Sequence, residues 1–320
     1  MNAFHSQLAA ASAAAESLVC VGLDPEVERF PAHLRARPNA ILAFNRAIID
    51  ATADLVCAYK PQIAHYAAVG AEEQLQDTLR YIRERAPGVP IILDAKRGDI
   101  GSTAEKYARE AFERYGADAV TINPYLGRDS AEPFLQYADK GIVILCRTSN
   151  AGSGEFQNLQ VGDRKLYQIV AERVAGEWNS RGNCLLVVGA TYPGELADIR
   201  ARTGEMTFLV PGVGAQGGDV DEAVRNGRAK QGAGLVINSS RGIRRRLRGS
   251  GATCDTRFAR RHHSGATASL TPIVRPGGSM IRLSRYQWTV LFAAWLGWGF
   301  DIFDGLLFNY VAPNAIPTLL

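Results

Sequence analysis

Eight short apolar runs, spaced along the first three quarters of the chain, constrain its fold more than any other feature. They are LVCVGLD (18–24), LVCAYKP (55–61), VPIILDAK (89–96), DAVTINP (118–124), GIVILCR (141–147), CLLVVGA (184–190), MTFLVPG (206–212) and GLVINSS (234–240). Most are nearly continuous in apolar residues, as a strand covered on both faces should be. Amphipathic stretches such as AILAFNRAIIDATA and GAEEQLQDTLRYIRERA lie between them and carry the helical period. Strand–helix alternation of this length predicts an α/β fold, a (β/α)8 TIM barrel, with a doubly wound sheet as second choice. No internal repeat is visible. The opening MNAFHSQLAAASAAAESLVC lacks a basic start and carries Glu16 within its alanine run, so it reads as a first helix and not as a signal peptide.

Polar residues gather where the runs end: Asp24, Lys60, Asp94, Lys96, Asn123, Arg147, Ser149, Gln216 and Arg241. A barrel builds its active site at that rim, because the loops after the strands converge there. The third run is the densest, with Asp94, Lys96, Arg97 and Asp99 in LDAKRGDIGSTA. Residues two apart on a strand face the same way, so Asp94 and Lys96 project together toward the barrel axis. Asp99 follows in the Gly98–Gly101 turn, and Lys60 adjoins Lys96 from the neighbouring strand. The expected Lys-Asp-Lys-Asp array gives each charge an opposite neighbour, which offsets the cost of partial burial. Spacing alone leaves two readings open, a salt-bridge network and a catalytic centre. No metal-ligand spacing of histidines or cysteines accompanies it. The loop GVGAQG (212–217) fits G-x-G-x-x-G, but no acidic residue about 20 positions on ends a next strand, as dinucleotide binding would require. After a seventh barrel strand, a glycine loop suits a phosphate better.

Composition narrows the partners. The net charge of +4 comes from the tail: residues 1–243 carry 26 Lys and Arg against 29 Asp and Glu, and residues 244–320 carry 10 against 3. The body therefore offers no electrostatic ground for nucleic acid. Four of the five cysteines (Cys20, Cys57, Cys146, Cys184) sit in apolar runs and none forms a C-x-x-C, which predicts buried reduced thiols in a cytoplasmic protein. Three segments are expected: a barrel over 1–243, an Arg-, Gly- and Ser-rich disordered stretch over 244–285, and an apolar segment over 286–320. The middle one shows no eighth helix. From Trp288 to Val311 the last is about long enough to cross a bilayer, although Asp301 and Asp304 would be costly at its centre. Membrane contact is expected only if that segment is a genuine anchor.

The segment LDAKRGDIGSTA resembles the signature of orotidine 5′-phosphate decarboxylase, in its longer bacterial subfamily. Its supports fall in order: VGLDP with Asp24, YKPQIAHY with Lys60, then RTSNAGSGEFQ, VPGVGAQGGD and NSSRGI, a likeness running from about residue 10 to Ile243. The resemblance implies cofactor-free decarboxylation of orotidine 5′-monophosphate to UMP and CO2, the last step of pyrimidine nucleotide synthesis. Losing CO2 leaves a carbanion at C6 with no π-system to delocalise it, and no motif here supplies a cofactor as electron sink. Fixed positive charge and a nearby proton must serve, and Lys96 matches the family residue for both tasks. Asp94 matches the carboxylate beside the substrate's own, and Lys60 and Asp24 match residues near the ribose hydroxyls. Asp99 and Thr103 match positions that reach into the partner subunit's site, which implies a homodimer. Gln216, Ser240 and Arg241 match phosphate contacts, and Ser149 a contact to the pyrimidine. The D-x-K core also resembles sugar-phosphate decarboxylases and aldol-type synthases on the same barrel. The tail from Trp295 resembles the opening of a major-facilitator transporter, which leaves an anchor, a fusion or a frameshifted, non-functional product open for 244–320.

Overall fold

The computed structural model describes residues 2–213, 217–232 and 234–240. Gln216, Arg241, the stretch expected to lack an eighth helix and both C-terminal segments lie outside them. All eight apolar runs form strands: β1 Val19–Leu23, β2 Ala58–Pro61, β3 Ile92–Arg97, β4 Ala119–Ile122, β5 Gly141–Arg147, β6 Cys184–Val188, β7 Phe208–Val210 and β8 Leu235–Ser239. They pair in parallel in the order β2-β1-β8-β7-β6-β5-β4-β3. Two further parallel bridges, Tyr59 to Ile91 and Gln62 to Asp94, join β2 to β3. Across the same seam, the Tyr59 N–H donates to Pro90 O at 3.0 Å and the Ile63 N–H to Asp94 O at 3.2 Å. The circuit therefore closes, and the fold is the barrel and not the doubly wound sheet.

Helices follow the strands in turn. Those of eight residues or more are α1 Ala3–Ala15, ahead of β1, then α2 Ala40–Thr52, α3 Glu72–Arg85, α4 Gly101–Arg109, α5 Arg128–Leu135, α6 Leu166–Arg173, α7 Pro193–Thr203 and α8 Val220–Gly227. In α3 the buried side chains are Leu75, Thr78, Leu79 and Ile82, the i, i+3, i+4, i+7 stripe that packs a helix on a barrel. Alanine content makes α1 a strong helix former. Asn2 caps its start by accepting from the His5 N–H at 2.9 Å, and Glu16 ends it in the left-handed region at φ 46°. Among the described residues, no helix is long and apolar enough to cross a membrane.

Two layers fill the barrel. One residue from each strand (Cys20, Ala58, Ile92, Ala119, Val143, Leu185, Leu209 and Val236) clusters with Phe4 and Leu8 of α1. That helix plugs the N-terminal mouth: a Cβ on Gly141 would lie 2.6 Å from the Phe4 ring, so the plug requires glycine there. Burial pushes the Cys20 thiol up to about 12, ahead of any charge effect, so it lines the interior as an inert, protonated group. Two residues further along seven of the strands, on the same face, stand Gly22, Lys60, Asp94, Thr121, Leu145, Val187 and Asn238. Apolar packing thus gives way to charge one layer up, at the C-terminal rim.

Candidate active site

Lys60 ends β2 and Asp94 lies in β3, both buried. The Lys60 ammonium donates to Asp94 Oδ2 at 2.6 Å, and the Lys96 ammonium donates to Asp94 Oδ1 at 2.6 Å. A third donor completes the shell, since Thr121 Oγ1 on β4 donates to Asp94 Oδ1 at 2.9 Å. Burial alone would push the Asp94 carboxyl up, but Lys60 and Lys96 together outweigh it and hold the group well below the usual carboxylate range. Burial likewise pulls Lys60 down, and the charges of Asp94 and Asp24 more than reverse it, so its ammonium persists far above neutrality. The two lysines differ in access: the Lys96 side chain is 45% exposed and that of Lys60 6%. Lys96 is the cation that faces the open rim.

A bulge puts it there. The β3–β4 register shifts between Leu93 and Arg97, and Lys96 takes φ 48°, a left-handed conformation rare for a long side chain. Such backbone costs on the order of 1–3 kcal/mol and persists only where its surroundings over-determine it. Here the N–H groups of Ala95 and Lys96 both donate to Thr121 Oγ1, each at 2.9 Å.

Of the other expected residues, Asp24 follows β1 and adds its charge to those that keep Lys60 protonated. Asp99 does not join the array. Its carboxylate accepts from the Ile100 N–H at 2.8 Å, and among the described residues it makes no ion pair, so three of the four charges meet and the fourth does not. Thr103 is exposed on the first turn of α4. Ser149 lies in the loop after β5, which crosses the end of β6 closely enough that a Cβ on Gly189 would sit 2.8 Å from that of Ser149. Ser240 follows β8 and accepts from Asn238 Nδ2 at 3.3 Å, in space that exists because Gly22 has no side chain. Between β7 and α8, the Gly218 N–H donates to Gly212 O at 3.1 Å and pins the base of the glycine loop.

Sequence reasoning missed two residues. Thr121 had a signal: a polar side chain two residues after the inward-facing Ala119, in an otherwise apolar strand. Arg147 was seen only as a rim residue. It is 1% exposed, ion-paired with Glu195 of α7 and stacked 4.0 Å from the Tyr192 ring centroid. It donates to Ser153 and Gln157, so it braces the β5–α6 loop from inside. Asn123 also turns away from the array, accepting from the Tyr125 N–H at 3.0 Å.

A profile of the orotidine 5′-phosphate decarboxylase / HUMPS family matches residues 17–248. The chain belongs to this family. The orotidine 5′-phosphate decarboxylase of Azoarcus sp. (strain BH72) is 61% identical over 240 residues, covering 75% of this chain and 89% of that one. The enzyme of the same name from Janthinobacterium sp. (strain Marseille) is 58% identical over the same shares. Among solved structures, Leishmania donovani OMP decarboxylase superposes with a TM-score of 0.68 at 42% identity, covering 77% of this chain and 91% of that one. The decarboxylase-family match takes in all eight strands and every element that carries the Lys60–Asp94–Lys96 cluster.

Proposed function

We infer that the chain decarboxylates orotidine 5′-monophosphate to UMP and CO2, with the chemistry at the Lys60–Asp94–Lys96 cluster. The observation that carries this reading is one ionised carboxylate shared by two ammonium groups, of which only Lys96 opens to the rim. The relatives, at about three-fifths identity, are named for this activity, which favours it over the sugar-phosphate lyases that share the D-x-K core.

The C6–carboxylate bond breaks heterolytically and leaves its electron pair on C6. The Lys96 ammonium stabilises that developing charge in a partly desolvated site, then gives its proton to C6. The resulting amine regains a proton from solvent through the exposed rim. Asp94 stays ionised at neutral pH, anchors both ammonium groups and repels the substrate carboxylate, a repulsion that fades as CO2 leaves. Lys60 and Asp24 hold the ribose, Ser149 the pyrimidine, and Gln216, Ser240 and Arg241 the phosphate. Phosphate contacts remote from C6 supply binding energy that presses the carboxylate against Asp94.

In this reading Asp99 and Thr103 serve the site of a second copy, which accounts for Asp99 standing apart from Lys96. The surface beside them suits such a contact: Ile100, Tyr125 and Leu126 are 60%, 80% and 46% exposed on the loops after β3 and β4. The deciding experiment follows loss of orotidylate absorbance with the full chain and with residues 1–243, in chelator and without added metal. Turnover by either supports the function; a barrel that binds UMP yet turns over only acyclic sugar phosphates overturns it.

A further inference from the structure

The Thr121 hydroxyl is completely used. A threonine oxygen has two lone pairs and one proton to offer. Its lone pairs receive the N–H groups of Ala95 and Lys96 at 2.9 Å each, and its proton goes to Asp94 Oδ1 at 2.9 Å. With both lone pairs occupied, the proton has no other orientation, so one buried atom fixes the carboxylate and the two peptide groups that follow it. Those peptides form the bulge in which Lys96 adopts its left-handed backbone. In regular parallel pairing consecutive N–H groups point to opposite neighbours, one toward β4 and the next toward β2, whereas here both turn to one hydroxyl on β4.

We propose that Thr121 is a positioning residue of the decarboxylation site, the clasp that holds the β3 bulge and thereby aims the Lys96 ammonium at the reacting carbon. The proposal rests on the function inferred above. All three hydrogen bonds of the hydroxyl go to Asp94, Ala95 and Lys96, so it acts through the array and the bulge. Its loss therefore moves the proton donor without removing a binding contact, and a misplacement near 1 Å costs a rate of about 100-fold.

Two variants test this. Thr121→Val keeps the shape and removes the hydroxyl; Thr121→Ser keeps the hydroxyl. The expected result is a kcat about 100-fold lower in the valine variant with KM changed less than about threefold, and recovery of at least about tenfold of the loss by serine. A second readout does not need turnover: residue-resolved amide hydrogen exchange should show Ala95 and Lys96 losing protection in the valine variant and keeping it with serine. If valine leaves kcat or the protection of both amides intact, or if serine is as impaired as valine, the clasp is wrong. A parent chain with no orotidylate turnover would sink the inferred function instead, and the exchange data would still decide whether Thr121 holds the bulge.

Discussion

Asp94 accepts from two ammonium groups and one hydroxyl, and that crowding sets its pH behaviour. Its folded-state pKa is depressed, so its contribution to stability is present in full above the unfolded value near ~3.9 and is lost as pH falls through the folded one. Lys60 runs the opposite way: its pKa is raised, so its contribution is full below ~10.4 and fades as pH rises through the folded value. Between those limits these groups leave stability flat. Asp94→Asn should cost about 3–5 kcal/mol at pH 7, because two ammonium groups lose their counter-charge. In urea titrations the gap from the parent should narrow below about pH 4; a constant gap down to pH 2 would refute the assigned shift. Lys96→Ala should lower kcat by at least about 10⁴-fold, from loss of both the cation and the acid, while UMP binding stays measurable by calorimetry.

The β5–α6 loop shows how an element is held in place for function. Arg147 rises from the end of β5 into a fully enclosed position, where Glu195 of α7 neutralises it and Gln157 ties it to the Thr148 N–H, 2.9 Å away. Removing the guanidinium would leave the half-buried Glu195 carboxylate only the longer ion pair with Lys165 at 3.6 Å, so Arg147→Met should destabilise the barrel by about 3 kcal/mol in chemical denaturation. Gly189 is the other constraint. Its missing Cβ leaves room for the Ser149 backbone, whose N and Cα would lie 2.9 Å from any added carbon. Gly189→Ala therefore forces the loop away from β6 and should raise KM for orotidylate more than it lowers kcat. An unchanged KM would detach Ser149 from substrate binding.

At the scale of the whole molecule, one end of the barrel is sealed and the other is left for chemistry. The α1 plug inserts Phe4 and Leu8 among the apolar layer. Phe4→Ala should cost about 3–5 kcal/mol by the usual cavity penalty, read as a lower melting temperature. At the open end, the proposed dimer makes a sharper prediction. Lys96→Ala and Asp99→Ala chains, each impaired alone, should regain roughly a quarter of parental activity when mixed at equal amounts. Half of the dimers would then hold one site free of both changes. No recovery on mixing would place Asp99 in its own chain's site or in none.

Strand positions were legible because they follow from local pattern: a continuous apolar run between turn residues reads the same in any surroundings. The charged rim was legible for a related reason, since the two-residue period alone places Lys60 and Asp94 one layer above Ala58 and Ile92. What the chain could not state locally was which polar groups meet. The array was expected to hold four charges, and it holds three with a hydroxyl. The register shift that turns Lys96, and the cross-strand distance that brings Thr121 to it, depend on β3 and β4 pairing in space. Arg147 looked like a rim residue until Glu195, on a helix 48 positions later, gave its buried charge a half-buried partner. Sequence determined the barrel and its reactive edge, because periodicity is a property of neighbours in the chain. Tertiary structure alone decided how Lys96 is aimed, because that rests on hydrogen bonds between residues whose proximity exists only once the ring has closed.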